Sequence, residues 1–127
     1  MKWLRLVPVF AVLALAGCKQ KLHIERANDM DGGTSRVIFV DPPSGEQKIK
    51  VAFTSTAGPV SVLVVQEDQL TDKAEDLDQD KIPAAAVLGK EKGKDGTISA
   101  TVPAKKAYRV IIFTDKKTSV TVKIDSV

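Results

Sequence analysis

The chain from residue 34 onward consists of short runs in which β-branched and other apolar residues recur at every second position. Five such runs are readable directly, at 48–53, 60–65, 98–102, 108–113 and 120–124. A period of two belongs to β-strands, whose successive side chains point to opposite faces. Gly, Pro, Asp and Ser separate the runs at a spacing typical of sandwiches. The sequence therefore predicts an all-β domain over residues 34–127, a small antiparallel β-sandwich of about seven strands, with an open barrel as the alternative.

Two runs, 60–65 and 108–113, are apolar on both faces, which predicts central strands, whereas runs that carry lysine should show one face to water. The aromatic residues in strand patterns are all predicted to lie in the core, and the tyrosine is the first of them expected to show an edge or its hydroxyl if any does. They are Phe39, Phe53, Tyr108 and Phe113. Lysines near the predicted turns, at 90, 92, 94, 105, 106, 116 and 117, are expected to be solvated and to protect strand edges.

Residues 66–83 interrupt this rhythm, because they are rich in acidic residues and place Leu70, Ala74 and Leu77 at helical spacing. The pattern predicts a helix of one or two turns, capped near Thr71 and ended before Pro83.

Residues 1–17 have the three-part build of a secretory signal. A short basic start is followed by an apolar run from Leu6 to Ala16 and by small residues. The run is too short to span a membrane, which takes about 20 apolar residues. A single cysteine, Cys18, follows directly, and it has no partner for an internal disulfide.

The four residues Leu15-Ala16-Gly17-Cys18 resemble the lipobox of bacterial lipoproteins. The resemblance implies cleavage between Gly17 and Cys18, a diacylglyceryl thioether on Cys18 and acylation of the new amino terminus. Two or more acyl chains anchor a protein stably, whereas one is marginal. The expected organisation is thus a signal peptide at 1–17, a lipidated cysteine with a flexible tether at 18–33, and the sandwich at 34–127.

Lys19 stands where Asp retains lipoproteins in the inner membrane in some lineages. Its presence implies a cell-envelope protein in the outer rather than the inner membrane, if the organism has two. Residues 19–33 are polar and close on Gly32-Gly33, which predicts a flexible spacer, and within it 22–27 is either helical or extended.

Charge and composition exclude several function classes. The chain has 19 basic and 16 acidic residues, and loss of Lys2 and Arg5 with the signal leaves 17 basic residues, so no basic face selects nucleic acid. The only histidine, His23, falls in the predicted tether, where a solvated residue is expected and neither a catalytic triad nor a zinc site can form. The chain is expected not to be an enzyme and to need no cofactor for stability.

The best candidate for bound metal is the acidic stretch 72–80, in which Asp76, Asp78 and Asp80 alternate. Three carboxylates at that spacing can converge on Ca²⁺, which takes six to eight oxygen ligands. The EF-hand pattern is absent, because Lys81 and Val87 replace its Gly and Glu. A solvated acidic loop and a docking surface for a basic partner are the alternatives.

Three segments close the sequence, namely Gly96-Thr97-Ile98 to Pro103, Ala107-Tyr108-Arg109-Val110 and Val120-Thr121-Val122. Their pattern resembles the last hairpins of bacterial pre-peptidase carboxy-terminal domains. Those domains are small envelope β-sandwiches, but this chain differs in its acidic insert and follows no peptidase. The expected function is a membrane-anchored, non-enzymatic module that binds or scaffolds an envelope protein or a wall polymer. The alternative is a Ca²⁺-dependent adhesion or stabilising domain that uses the acidic loop 72–80.

Overall fold

The structure is a computed structural model that describes residues 22–70 and 82–127. Within these ranges it contains eight strands and two single-turn 3-10 helices. The strands are β1 His23–Met30, β2 Thr34–Val40, β3 Gln47–Ser55, β4 Val60–Gln66, β5 Val87–Gly93, β6 Asp95–Val102, β7 Tyr108–Thr114 and β8 Thr118–Ser126. The 3-10 helices are Glu67–Gln69 and Ala84–Ala86.

The strands form two four-stranded sheets, in the orders β1-β8-β3-β6 and β2-β7-β4-β5, and every pairing is antiparallel. The core lies between the sheets and is formed by side chains at alternate positions of the strands. The predicted β-sandwich is confirmed. The predicted central strands are confirmed as well, because β4 and β7 are the two inner strands of their sheet.

Strand β3 shows how the alternation builds the core. Ile49, Val51 and Phe53 are almost wholly buried, whereas Lys48 and Lys50 between them are exposed. This is the burial pattern of a strand with one face on the core and one in water.

The domain begins earlier than the sequence pattern indicates. Residues 23–30, predicted to be part of a flexible spacer, form strand β1, which pairs with β8 over its whole length. The prediction of a spacer through residue 33 is therefore wrong for the described residues. The physical reason is that β1 is an edge strand whose core-facing positions include Arg26 and Asn28 as well as Ile24 and Met30, so it has no clean apolar alternation.

One end of the sandwich, called here the hairpin end, holds the four short connections β1–β2, β3–β4, β5–β6 and β7–β8. A buried hydroxyl network joins two of them. Ser55 Oγ donates to Gly58 O (2.5 Å) and lies 2.6 Å from Thr118 Oγ1, which also accepts the Ala57 N–H (2.9 Å). Since the Ser55 proton goes to Gly58, Thr118 is the donor to Ser55, and every group in the network is satisfied.

The opposite end, called here the Leu22 end, gathers both described termini of the domain and its longer connections. Ser126 N–H donates to Leu22 O (3.0 Å), and Leu22 N–H donates to Ser126 Oγ (2.9 Å). Val127 N–H donates to Lys48 O (2.9 Å). Residue 22 is thus fixed to the sandwich, and the chain enters the domain at a defined point.

Candidate interaction surface

The outer face of the sheet β2-β7-β4-β5 is apolar and carries a second, smaller hydrophobic cluster. Its buried members are Leu63, Val65, Leu70, Ala86 and Ile111. Leu70 and Ala86 belong to the connection between β4 and β5, whose two ends fold back over the sheet. This packing covers the middle of the outer face.

Part of that face remains uncovered toward strand β2. Phe39 is 51% exposed, and Val37, two residues before it on the same face, is half-buried. Among the described residues, Phe39 and Val127 are the large hydrophobic residues that are exposed. We call the pair Val37 and Phe39 the Phe39 surface.

An arginine supports the Phe39 ring. Phe39 and Arg109 are direct partners across β2 and β7, and the Arg109 guanidinium carbon lies 4.9 Å from the ring centroid. Arg109 is only 3% exposed, and its Nε donates to Glu67 Oε1 (3.3 Å). A cation held against the face of a ring attracts the ring quadrupole, more strongly where water is excluded. The ring is therefore held against Arg109.

The charged rim of this region is at the Leu22 end. Lys106 Nζ pairs with Asp68 Oδ2 at 2.8 Å, and Gln66 Nε2 donates to Asp68 Oδ1 at 2.5 Å. Glu67 N–H donates to Ala107 O (3.0 Å), which joins the start of the β4–β5 connection to the turn before β7. The apolar surface thus has a polar border, which is the arrangement found at protein–protein interfaces.

One prediction about an aromatic residue is wrong. Phe39 was expected in the core, but it occupies the outer face of edge strand β2, where only β7 lies beside it. Tyr108 lies in the core, as predicted, and it is fully buried with its hydroxyl. Its Oη has no hydrogen-bond partner among the described residues, and burial raises its pKa to about 12. Phe53 lies in the core, as predicted.

Most predicted site residues lie outside the described residues. Gly17 and Cys18 precede residue 22, and Asp76, Asp78 and Asp80 fall within 71–81, as does the predicted helix near Thr71. In residues 22–70 and 82–127 there is no group of three or more His, Cys, Asp or Glu side chains placed to hold a metal ion. The lipidation and Ca²⁺ predictions stay predictions.

His23 lies in strand β1 rather than in a tether. Its Nδ1 contacts Asp125 Oδ1 of the paired strand β8, and both side chains are substantially exposed. The residue is thus part of the outer surface of a sheet, next to the point where the chain enters the domain.

In the part of the chain that is described, no helix is both long and apolar enough to cross a membrane.

Comparison with known proteins identifies no family. No family model matches the chain, and no curated protein matches it. Among solved structures it is similar to a chain of the Bacillus endospore appendages, described as "a novel family of disulfide-linked pili". The TM-score is 0.46 and the identity 16%, over 87% of this chain and 90% of that chain. A likeness at this level carries no information about what this protein binds.

Proposed function

We propose that the protein is a lipid-anchored module of the bacterial cell envelope that binds another envelope protein and catalyses no reaction. The anchor is supported by the lipobox-like Leu15-Ala16-Gly17-Cys18 behind a signal-like segment. Lys19, in place of an inner-membrane retention residue, favours the outer membrane of an organism with two membranes. Acyl chains on Cys18 would supply localisation, and the sandwich would supply the binding surface.

The distance from the anchor to the domain is short. Cys18 is four residues from Leu22, and an extended chain covers at most about 3.6 Å per residue, so the two are within about 14 Å in any conformation. Since Leu22 is hydrogen-bonded to Ser126, the Leu22 end of the sandwich must stand close to the lipid surface. The hairpin end then points away from it.

The observation that carries the binding function is the exposed ring of Phe39, held against Arg109 on strand β2. Exposed apolar groups that are clustered and rimmed by polar residues mark interaction sites. The Phe39 surface has one exposed ring beside the half-buried Val37, which suits an apolar protein side chain. An apolar surface with a polar border is the arrangement of protein–protein interfaces, and this favours a protein partner over a wall polymer.

Photo-crosslinking in cells tests this function. A photoreactive phenylalanine analogue at position 39 of the full-length protein should capture one reproducible envelope protein, identified by mass spectrometry. The same analogue at Ser99, an exposed position of β6 in the other sheet, is the matched control and should not capture that protein. Capture of lipid alone, or of the same proteins from both positions, would contradict the proposal.

A further inference from the structure

The sandwich has four edge strands, β1 and β6 in one sheet and β2 and β5 in the other. On one side, β5 and β6 pack closely, since a Cβ built on Gly89 would lie 2.5 Å from Ile98 Cγ2. On the other side, β1 and β2 make fewer contacts with each other. The β1–β2 side is therefore the more open of the two.

Strand β2 is the less protected of the two edges on the open side, whereas β6, which has no charge after Asp95, lies against β5 on the closed side. Strand β2 pairs with β7 only, so its other edge has no strand partner among the described residues. Its half from Val37 to Val40 has no charge and no proline, and its pairing with β7 shows no bulge. By contrast, β1 carries charged side chains along its length, and β5 carries the consecutive charges 90–92. Charges, proline and bulges are what usually protect an edge from pairing with another chain.

Two arginines that have no acidic partner among the described residues border this open side. Arg26 of β1 and Arg36 of β2 are exposed, and each lies opposite a buried aliphatic residue of the neighbouring strand, so both stand at the rim of the core. Arg26 donates to Glu25 O (3.1 Å), and Arg36 donates to Ser35 O (3.5 Å) and Asp29 O (3.4 Å). These acceptors are backbone carbonyls. Neither guanidinium forms an ion pair within the described part of the chain.

We propose that the free edge of β2 accepts an extended segment of a partner protein in which carboxylates alternate with apolar side chains. Backbone hydrogen bonds to β2 hold the added strand, and alternate side chains select it. The carboxylates on its inner side pair with Arg26 and Arg36, because guanidinium and carboxylate form strong charge-assisted hydrogen bonds. The apolar side chains on its outer side pack on Val37 and Phe39. This inference rests on the proposed binding function and names the partner's chemistry.

The test uses the full-length protein in detergent micelles and a labelled peptide of about eight residues, a usual strand length, in which glutamate and valine alternate. A peptide of alternating lysine and valine is the charge-reversed probe. Fluorescence anisotropy should show saturable binding of the glutamate peptide, about tenfold tighter than the lysine peptide. Arg26→Glu with Arg36→Glu should invert this preference, whereas Lys92→Glu on the opposite edge should leave it unchanged.

Equal binding of the two peptides, or an unchanged preference in the charge-reversed protein, would overturn the inference. So would a concentration-dependent dimer that the same variant abolishes, because the edge would then belong to a second copy of the chain. If the double variant fails to fold, Arg36→Gln alone should reduce the preference for the glutamate peptide. If the peptides fail to bind but position 39 still crosslinks to one protein in cells, only the proposed charge and strand character of the partner is refuted. The proposed binding function then still stands.

Discussion

Replacement of Gly89 by alanine should lower the free energy of unfolding by about 2 kcal/mol, the usual size of an overpacking effect in a filled core. The added Cβ would lie 2.5 Å from Ile98 Cγ2 and 3.6 Å from Ala100 Cβ. Ile98 is only 4% exposed, and a β-branched side chain has few alternative rotamers, so the methyl group cannot simply swing aside. Strand β5 must instead move away from β6, which opens the closed side of the sandwich.

Urea denaturation measures this effect. Gly45→Ala is the matched control, because a Cβ there meets nothing within 4 Å, and it should change stability by less than about 0.5 kcal/mol. In an Ile98→Ala background the cost of Gly89→Ala should fall, since the opposing methyl group is gone. The same cost in both backgrounds would show that the close approach of β5 to β6 is not the cause.

Alkaline pH should destabilise the protein through Tyr108, by about 2 kcal/mol between pH 10 and pH 12. Burial raises the pKa of Tyr108 to about 12, from 10.0 for the free side chain, because the folded core disfavours the phenolate. The raised pKa determines whether alkaline pH stabilises or destabilises the fold. The neutral phenol is favoured in the fold, so its stabilisation is complete below pH 10 and is lost as the pH rises through the folded pKa.

Comparison of the wild type with Tyr108→Phe isolates this effect from the titration of lysines. At neutral pH the variant should be as stable as the wild type or more so, since the Oη has no hydrogen-bond partner among the described residues. At about pH 12 it should be more stable by about 2 kcal/mol. Tyr108 is the only tyrosine, so ultraviolet absorbance follows its ionisation directly. Parallel pH profiles for both proteins, or a large loss in the variant at neutral pH, would contradict this explanation.

The fold was predictable where one face of a strand is apolar and the other polar. Ile49, Val51 and Phe53 between lysines identify β3, and a run that is apolar on both faces identifies β4 as central. Strand β1 was not predictable in this way. As an edge strand it needs few apolar residues, and Arg26 reaches water from a position that faces the rim of the core.

The candidate surface was harder to predict, for a related reason. In the run from Val37 to Val40 both faces are apolar, so alternation does not tell which face meets the main core. Arg36 lies on the same face of the strand as the buried Ile38 and Val40. If its charge were taken to mean that this face is exposed, the two faces would be assigned the wrong way round. Only the packing shows that Phe39 faces outward. The place of Arg109 beside Phe39 was likewise not predictable, because Arg109 lies in a run that is otherwise apolar. Its partner Glu67 comes from the β4–β5 connection, which the pattern of that run does not reveal.

The most direct test of the proposed anchoring is the intact mass of the protein purified from membranes of cells that express the full chain. The expected mass is that of a chain beginning at Cys18 with a diacylglyceryl group and, where the host acylates amino termini, one further acyl chain. Cys18→Ala should give an unlipidated chain that retains residues 1–17, while Lys19→Ala should keep the lipid. An unmodified chain cleaved at another residue, or a lipid-sized mass that persists in Cys18→Ala, would contradict the anchored arrangement and with it the orientation of the Leu22 end toward the membrane.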